Sequence, residues 1–244
     1  MELWGRVVHV KGSYVTFAAE NPEELANLSL ITQEDRPEAV LNLPDNRKIS
    51  NVQRKKAYAI MSDIADWTGY VPEEIKAQMK FMFEAEYGIS DISLGTTDMT
   101  TARYFITMLL EFCFRMDIPL KHNGLALQDD IRAYAFICLR YRKCMVCGKH
   151  ETVETHHVDK IGGGNRKTID HRNKRLVALC HEHHQEAEHL HWPRFSEIYH
   201  LVGIKLDEKT LHDLGLMTYK SMREHDRRKE RDDQSSRISG TSNP

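Results

Sequence analysis

Apolar and polar positions change period along the chain. Val8 and Val10 flank His9 in the alternation of a strand, Lys11-Gly12 supplies a turn, and Val15 and Phe17 alternate with Thr16 on the return. Leu28 to Ile31 and Ala39 to Leu43 are further short strand candidates. From Asn51 the period becomes helical: Ala57, Ile60, Met61, Ile64 and Ala65 fall on one stripe that ends near Gly69, with Ser50 as N-cap. Pro72 suits the first position of a second helix, with Glu73 and Glu74 at the positive end of its dipole and Ile75, Met79 and Met82 inward. A third helix is predicted from about Thr100 to Asp117, burying Phe105, Ile106, Leu109, Leu110, Cys113 and Met116, and Pro119 follows it. A fourth opens at Asp129 or Asp130, turns Ile131, Tyr134, Ala135 and Cys138 inward, and leads into Lys143-Cys144. The segment Lys121 to Leu127 is the expected domain boundary. Beyond Gly215 the pattern turns polar, and residues 220–244 are expected to form a disordered or frayed tail.

Composition narrows the class. Of 244 residues, 41% are hydrophobic and 29% charged, enough apolar material for a core in a soluble chain. A net charge of −2 argues against a generic basic nucleic-acid binder, so any polyanion site must be a local patch. No long apolar run and no signal-peptide pattern occurs, so neither a membrane nor a secreted protein is expected, and the location expected is cytoplasmic.

Histidine and cysteine carry the chemistry. Ten of the 14 His lie between His150 and His200, and three of the five Cys (Cys144, Cys147 and Cys180) sit in or beside that stretch. Cys144-Met-Val-Cys147-Gly148 is a zinc knuckle, and Cys180-His-Glu-His183 supplies a second half at the same spacing, giving a Cys3His structural zinc site. An accidental pair or a redox motif is the alternative for an isolated CxxC, but no thioredoxin-like βαβ pattern surrounds this one. Lys160, Arg166, Lys167, Arg172, Lys174 and Arg175 surround a Gly162-Gly163-Gly164 loop, where a phosphate backbone could lie. Arg47 and Arg54 belong to a basic collar at the start of the first long helix, which reads equally as a solvated face or a DNA contact. His150, His171, His181, His191 and His200 read as surface or supporting residues rather than ligands.

The run from Cys144 to His191 joins the two knuckle halves, His156-His157, the Gly loop, Asn173 and His184. It resembles the HNH endonuclease family, whose ββα-metal fold holds one catalytic divalent ion between a hairpin and a helix. The resemblance implies that His156 and His184 are ligands of the catalytic ion (Mg2+, Mn2+, Ni2+ or Zn2+), that His157 is the general base and that Asn173 braces the loop and orients it. Because neighbours on a strand point to opposite faces, His156 and His157 could serve one centre only through a local bend or bulge. The chain departs from the family pattern in three places. His183 stands where Cys is commoner. Arg175 stands where many relatives have Asn, with Asn173 two positions earlier. A further ligand could come from Glu188 or His189.

Residues 40–120 are similar to the phage recombination proteins of the lambda Orf (NinB) family, through Arg47, Ser50, Gln53, Lys55, Trp67 and Gly69. That resemblance implies a homodimer that binds single-stranded DNA and acts with single-strand-binding protein, in the cytoplasm of an infected or lysogenic bacterial host. The expected fold is α+β: a β-rich and helical DNA-binding domain over 1–122, a zinc-stapled ββα nuclease domain over 128–215, and the tail. The expected function is metal-dependent cleavage of DNA phosphodiester bonds in phage recombination or DNA processing. The alternative is a non-catalytic zinc-containing recombination mediator that binds single-stranded DNA.

Overall fold

The computed structural model describes residues 5–26, 43, 45–159 and 169–239. The strand candidates at 28–31 and 39–42 and the Gly162-Gly163-Gly164 loop lie outside the described residues. The chain divides into two compact units, Met1–Pro44 and Asp45–Pro244. The first holds an antiparallel hairpin of β1 (Gly5–Lys11) and β2 (Tyr14–Ala19), followed by a short α1 (Pro22–Ala26). The alternation around His9 is interrupted by a register shift between Val7 and His9, and Val8, Val10 and Val15 stay exposed.

The second unit begins with three helices. Ser50 caps α2 (Asn51–Thr68): its hydroxyl accepts from the Gln53 N–H at 3.1 Å, and the Gln53 side chain accepts from the Ser50 N–H at 3.0 Å. Gly69 ends the helix in a left-handed conformation that a side chain would disfavour. Pro72 opens α3 (Pro72–Tyr87), whose inward stripe runs through Ile75, Met79 and Phe83, with Met82 only partly covered. Asp98 caps α4 (Met99–Arg115), accepting from the Thr101 N–H at 2.8 Å. That helix ends one residue before Met116, which leaves the apolar stripe and is exposed rather than buried. The short α5 (Gly124–Leu127) leads to α6 (Ile131–Arg140), which Asp130 caps. Helices α2, α3 and α4 pack together, α4 packs on α6, and α6 continues the core onto β4 (Leu176–Cys180), all five residues of which are buried.

The segment expected as the domain boundary bonds to residues on both of its sides. The Lys121 N–H donates to the buried Asp63 carboxylate at 3.0 Å, and the Asn123 side chain donates to the Val146 carbonyl. Just beyond, Gln53 Nε2 donates to Asp129 at 2.7 Å and Lys56 Nζ donates to the Gln128 carbonyl at 2.6 Å. Polar side chains of α2 thus reach across to the start of α6. Composition marked the loop, and its bonds to distant partners were invisible in the local pattern.

Among the described residues, the remainder is a hairpin and four α-helices. β3 (Val153–His157) pairs antiparallel with β4 in unbroken register, His156 opposite Val177 and His157 opposite Leu176. β4 runs directly into α7 (His181–Leu190), a ββα arrangement, and α8 (Trp192–Tyr199) packs against α7. α9 (Glu208–Asp213) lies against the 3-10 turn His171–Asn173. Residues expected to be a disordered tail include a long helix, α10 (Tyr219–Ser239). Its first turns are anchored, because Met222 is buried and Asp226 is held by Arg172 at 2.6 Å. Farther along, alternating acidic and basic residues at helical spacing favour the helix locally. The molecule is α+β and mostly helical, and among the described residues no helix is long and apolar enough to cross a membrane.

Candidate metal centre

The knuckle is built by backbone geometry. Gly148 adopts φ +74°, its N–H donates to the Cys144 carbonyl at 2.8 Å, and the Cys144 N–H donates to the Lys149 carbonyl at 2.7 Å. These bonds fold the chain back so that two thiols three positions apart face one point. The Met145 N–H donates to the Ala178 carbonyl at 2.9 Å, fastening the knuckle to β4. Cys180 is the N-cap of α7 and His183 lies in its first turn, so the second pair converges because a strand passes into a helix.

One donor atom from each of Cys144, Cys147, Cys180 and His183 lies within 4.8 Å of the others. Cys147 Sγ and Cys180 Sγ are 3.8 Å apart, and His183 Nδ1 is 3.7 Å from Cys144 Sγ and 3.1 Å from Cys180 Sγ. Bond lengths of about 2.3 Å to sulfur and about 2.0 Å to nitrogen give tetrahedral edges of about 3.8 and about 3.5 Å, so the cluster fits zinc. Burial raises the Cys144 thiol to about 12 and raises Cys147 as well, which makes an uncompensated thiolate unfavourable here. A divalent ion held by the four donors would supply the missing charge.

A second group of imidazoles flanks the cluster. His156 is buried, and its ring meets that of His184 edge to face with centroids 4.9 Å apart. Trp192 stacks along the other side of His156 at 5.8 Å. Glu188, one turn beyond His184, places Oε1 3.8 Å from His184 Nδ1, while His189 is exposed. Among the described residues, the Cys3His cluster is the one set of three or more potential ligands within mutual reach.

β3 contains no bulge, and its two adjacent imidazoles engage different partners. His157 Nε2 is 2.8 Å from His171 Nδ1, and His171 is itself buried. Asn173 is exposed at the end of the 3-10 turn. Arg175 braces the strand connection: its N–H donates to Asp159 Oδ2 at 2.7 Å and its guanidinium to Asp159 Oδ1 at 2.6 Å, holding that carboxyl below its usual range.

Among the described residues, the arginines expected to bind phosphate (Arg47, Arg54, Arg172 and Arg175) are engaged within the protein. Arg172 donates to Asp170, Glu208 and Asp226 at 2.8, 2.9 and 2.6 Å, and these hydrogen bonds, Asp170's foremost, raise its already high pKa. Arg47 pairs with Asp45 at 2.8 Å, and Arg54 donates to the Leu94 carbonyl at 2.8 Å. Lys174 is half-buried beside Asn173, whereas Lys160, Arg166 and Lys167 lie outside the described residues. The structural roles of His171, Trp192 and Asp159 had no local signal in the sequence, because each depends on a partner brought up by another element.

The chain matches the family model described as "Putative HNHc nuclease" over residues 21–216. No curated protein and no solved structure matches it. The family match runs continuously through residues 40–120, so a separate Orf-like domain is not shown there. With most of its length inside that match and its thiol–imidazole cluster on a ββα unit, this chain belongs to the HNHc nuclease family.

Proposed function

We propose that the protein is a metal-dependent DNA endonuclease in which a structural zinc holds the ββα unit and a second divalent ion serves the cleavage centre. The observation that carries this reading is the meeting of His156 from β3 with His184 from α7, directly beside the zinc cluster. In this assignment Cys144, Cys147, Cys180 and His183 hold zinc, and His156 and His184 hold the catalytic ion, with Glu188 as the adjacent carboxylate. An ion held by His156 and His184 would supply positive charge to the scissile phosphate and to the departing oxygen. His157 takes the proton from the attacking water, a role that requires the end of β3 to bend in the DNA complex, because in the unbulged strand adjacent side chains point to opposite faces. Trp192 limits the freedom of the His156 ring, and Arg175 with Asp159 steadies the connection leaving β3. Lys174, with Lys160, Arg166 and Lys167, is assigned to the phosphate backbone. Arg172, Arg175, Arg47 and Arg54 are assigned to it as well, and on DNA binding would exchange the intramolecular partners described above for phosphate.

The setting we infer is phage recombination or DNA processing, with the helices of residues 45–120 contributing to DNA binding. The test is nicking of supercoiled and branched DNA with Mg2+, Mn2+ or Ni2+. Wild-type protein should cleave, whereas His157→Ala and His184→Ala should each lose at least about 100-fold in rate, the usual range for removing a general base or a ligand. Cleavage unchanged in His157→Ala would remove this mechanism, and DNA binding without cleavage would leave a zinc-containing mediator.

A further inference from the structure

We infer that His171 is a positioning residue for His157, selecting the ring nitrogen that acts on water. The inference rests on the assignment of His157 as base. An imidazole that acts as a base must present a lone pair on one nitrogen and carry its proton on the other, and the hydrogen bond made by the second nitrogen decides which is which. His157 Nε2 lies 2.8 Å from His171 Nδ1, with ring centroids 4.9 Å apart and planes tilted by 36°. With His157 donating from Nε2–H, Nδ1 becomes its basic nitrogen, and His171 is the tautomer that keeps its proton on Nε2.

The position of His171 is built from several elements. Its backbone N–H donates to Met217 Sδ at 3.2 Å. Asp170 caps the 3-10 turn by accepting from the Arg172 N–H at 3.1 Å. The Arg172 guanidinium then binds Asp170, Glu208 of α9 and Asp226 of α10. The turn that carries His171 is thus fastened to two helices from the C-terminal part of the chain, and His171 is 7% exposed. Such restraint suits a group whose direction matters. Asn173, the residue expected to orient the base, sits exposed on the same turn.

The experiment uses the full zinc-loaded chain and reads histidine tautomers by nitrogen-15 NMR alongside cleavage kinetics. His157 should be the Nε2–H tautomer in the wild type and a mixture in His171→Leu. His171→Asn, which puts an amide oxygen near the position of Nδ1, should restore the single tautomer. In kinetics, His171→Leu should lower kcat about 10- to 100-fold with KM for DNA unchanged, and His171→Asn should recover most of it. His171→Gln, which keeps a polar group but displaces the acceptor, takes the place of the Leu variant should that chain fail to fold. An unchanged His157 tautomer in a folded His171→Leu or His171→Gln protein overturns the inference. Transfer of the His157 ring proton from Nε2 to Nδ1 on adding further Zn2+ also overturns it, because the two facing nitrogens would then share an ion. Absence of wild-type cleavage would instead remove the endonuclease reading, and full cleavage by His157→Ala would remove His157 as the base; the tautomer spectra keep both failures distinct from a failure of the His157–His171 pairing.

Discussion

Individual side chains here divide by what they lose when truncated. Cys144 is fully buried and Cys147 half-buried, and both thiols are raised by burial, so protons compete with the ion for them. Metal affinity should therefore fall as pH falls, and zinc uptake should release protons, measurable by competition with a chromophoric chelator across pH. Cys147→Ser should lose one zinc per chain and a large part of the stability, since structural zinc in small sites contributes on the order of 10 kcal/mol of folding free energy. His157→Ala should remain folded with its zinc, with a change in stability within about 1 kcal/mol, because the ring is only half-buried. Equal unfolding of the two variants by far-UV circular dichroism would contradict the separation of the two sites. At this scale the Cys3His set was legible, because its spacing within each half is short-range. His171 was not, because its partner is 14 residues away and its burial depends on Met217.

Among the elements, the 3-10 turn at His171–Asn173 and α10 are joined by charge. Asp170 and Asp226 are both held below the ordinary carboxylate range, chiefly by hydrogen bonds from Arg172. A carboxyl whose pKa is lower folded than unfolded stabilises fully above the unfolded value and loses that contribution as pH falls through the folded one. Arg172→Met should therefore lower Tm clearly at about pH 7, and the gap from wild type should shrink as pH falls below the ordinary carboxylate range and through the lowered folded values. A gap independent of pH would show that packing of the arginine stem, rather than its charge, joins these elements. The helices were well marked in the sequence: Ser50 and Gln53 form the capping box that their spacing suggests, and Pro72 opens α3. Their exact faces were less so. Phe83 replaces Met82 as the fully buried position, a rotation of one residue that packing against Phe105 decides. α10 was missed because its composition resembles a solvated tail, and the burial of Met222 and the Arg172 partner lie outside any local window.

For the whole molecule, the continuity of residues 45–244 has a direct experimental consequence. A chain beginning at Asp45 should fold and unfold in one cooperative thermal transition, whereas one beginning at Gln128 should expose the faces of α6 that pack on α4 and should not fold alone. Two separate transitions in the longer chain, or a stable shorter one, would restore the division between residues 121 and 127. Composition and spacing were enough to recognise an α+β chain with a zinc-stapled hairpin–helix unit, but the bonds of Gln53, Lys56 and Asn123 that close the larger unit span dozens of residues.

His183 and His184 are consecutive in the first turn of α7, one turned toward the thiols and the other toward His156. On the proposed assignment, the cleavage centre of a nascent polypeptide could not be assembled until both knuckle halves had left the ribosome and captured an ion. Starvation for that ion would disarm the protein without any inhibitor.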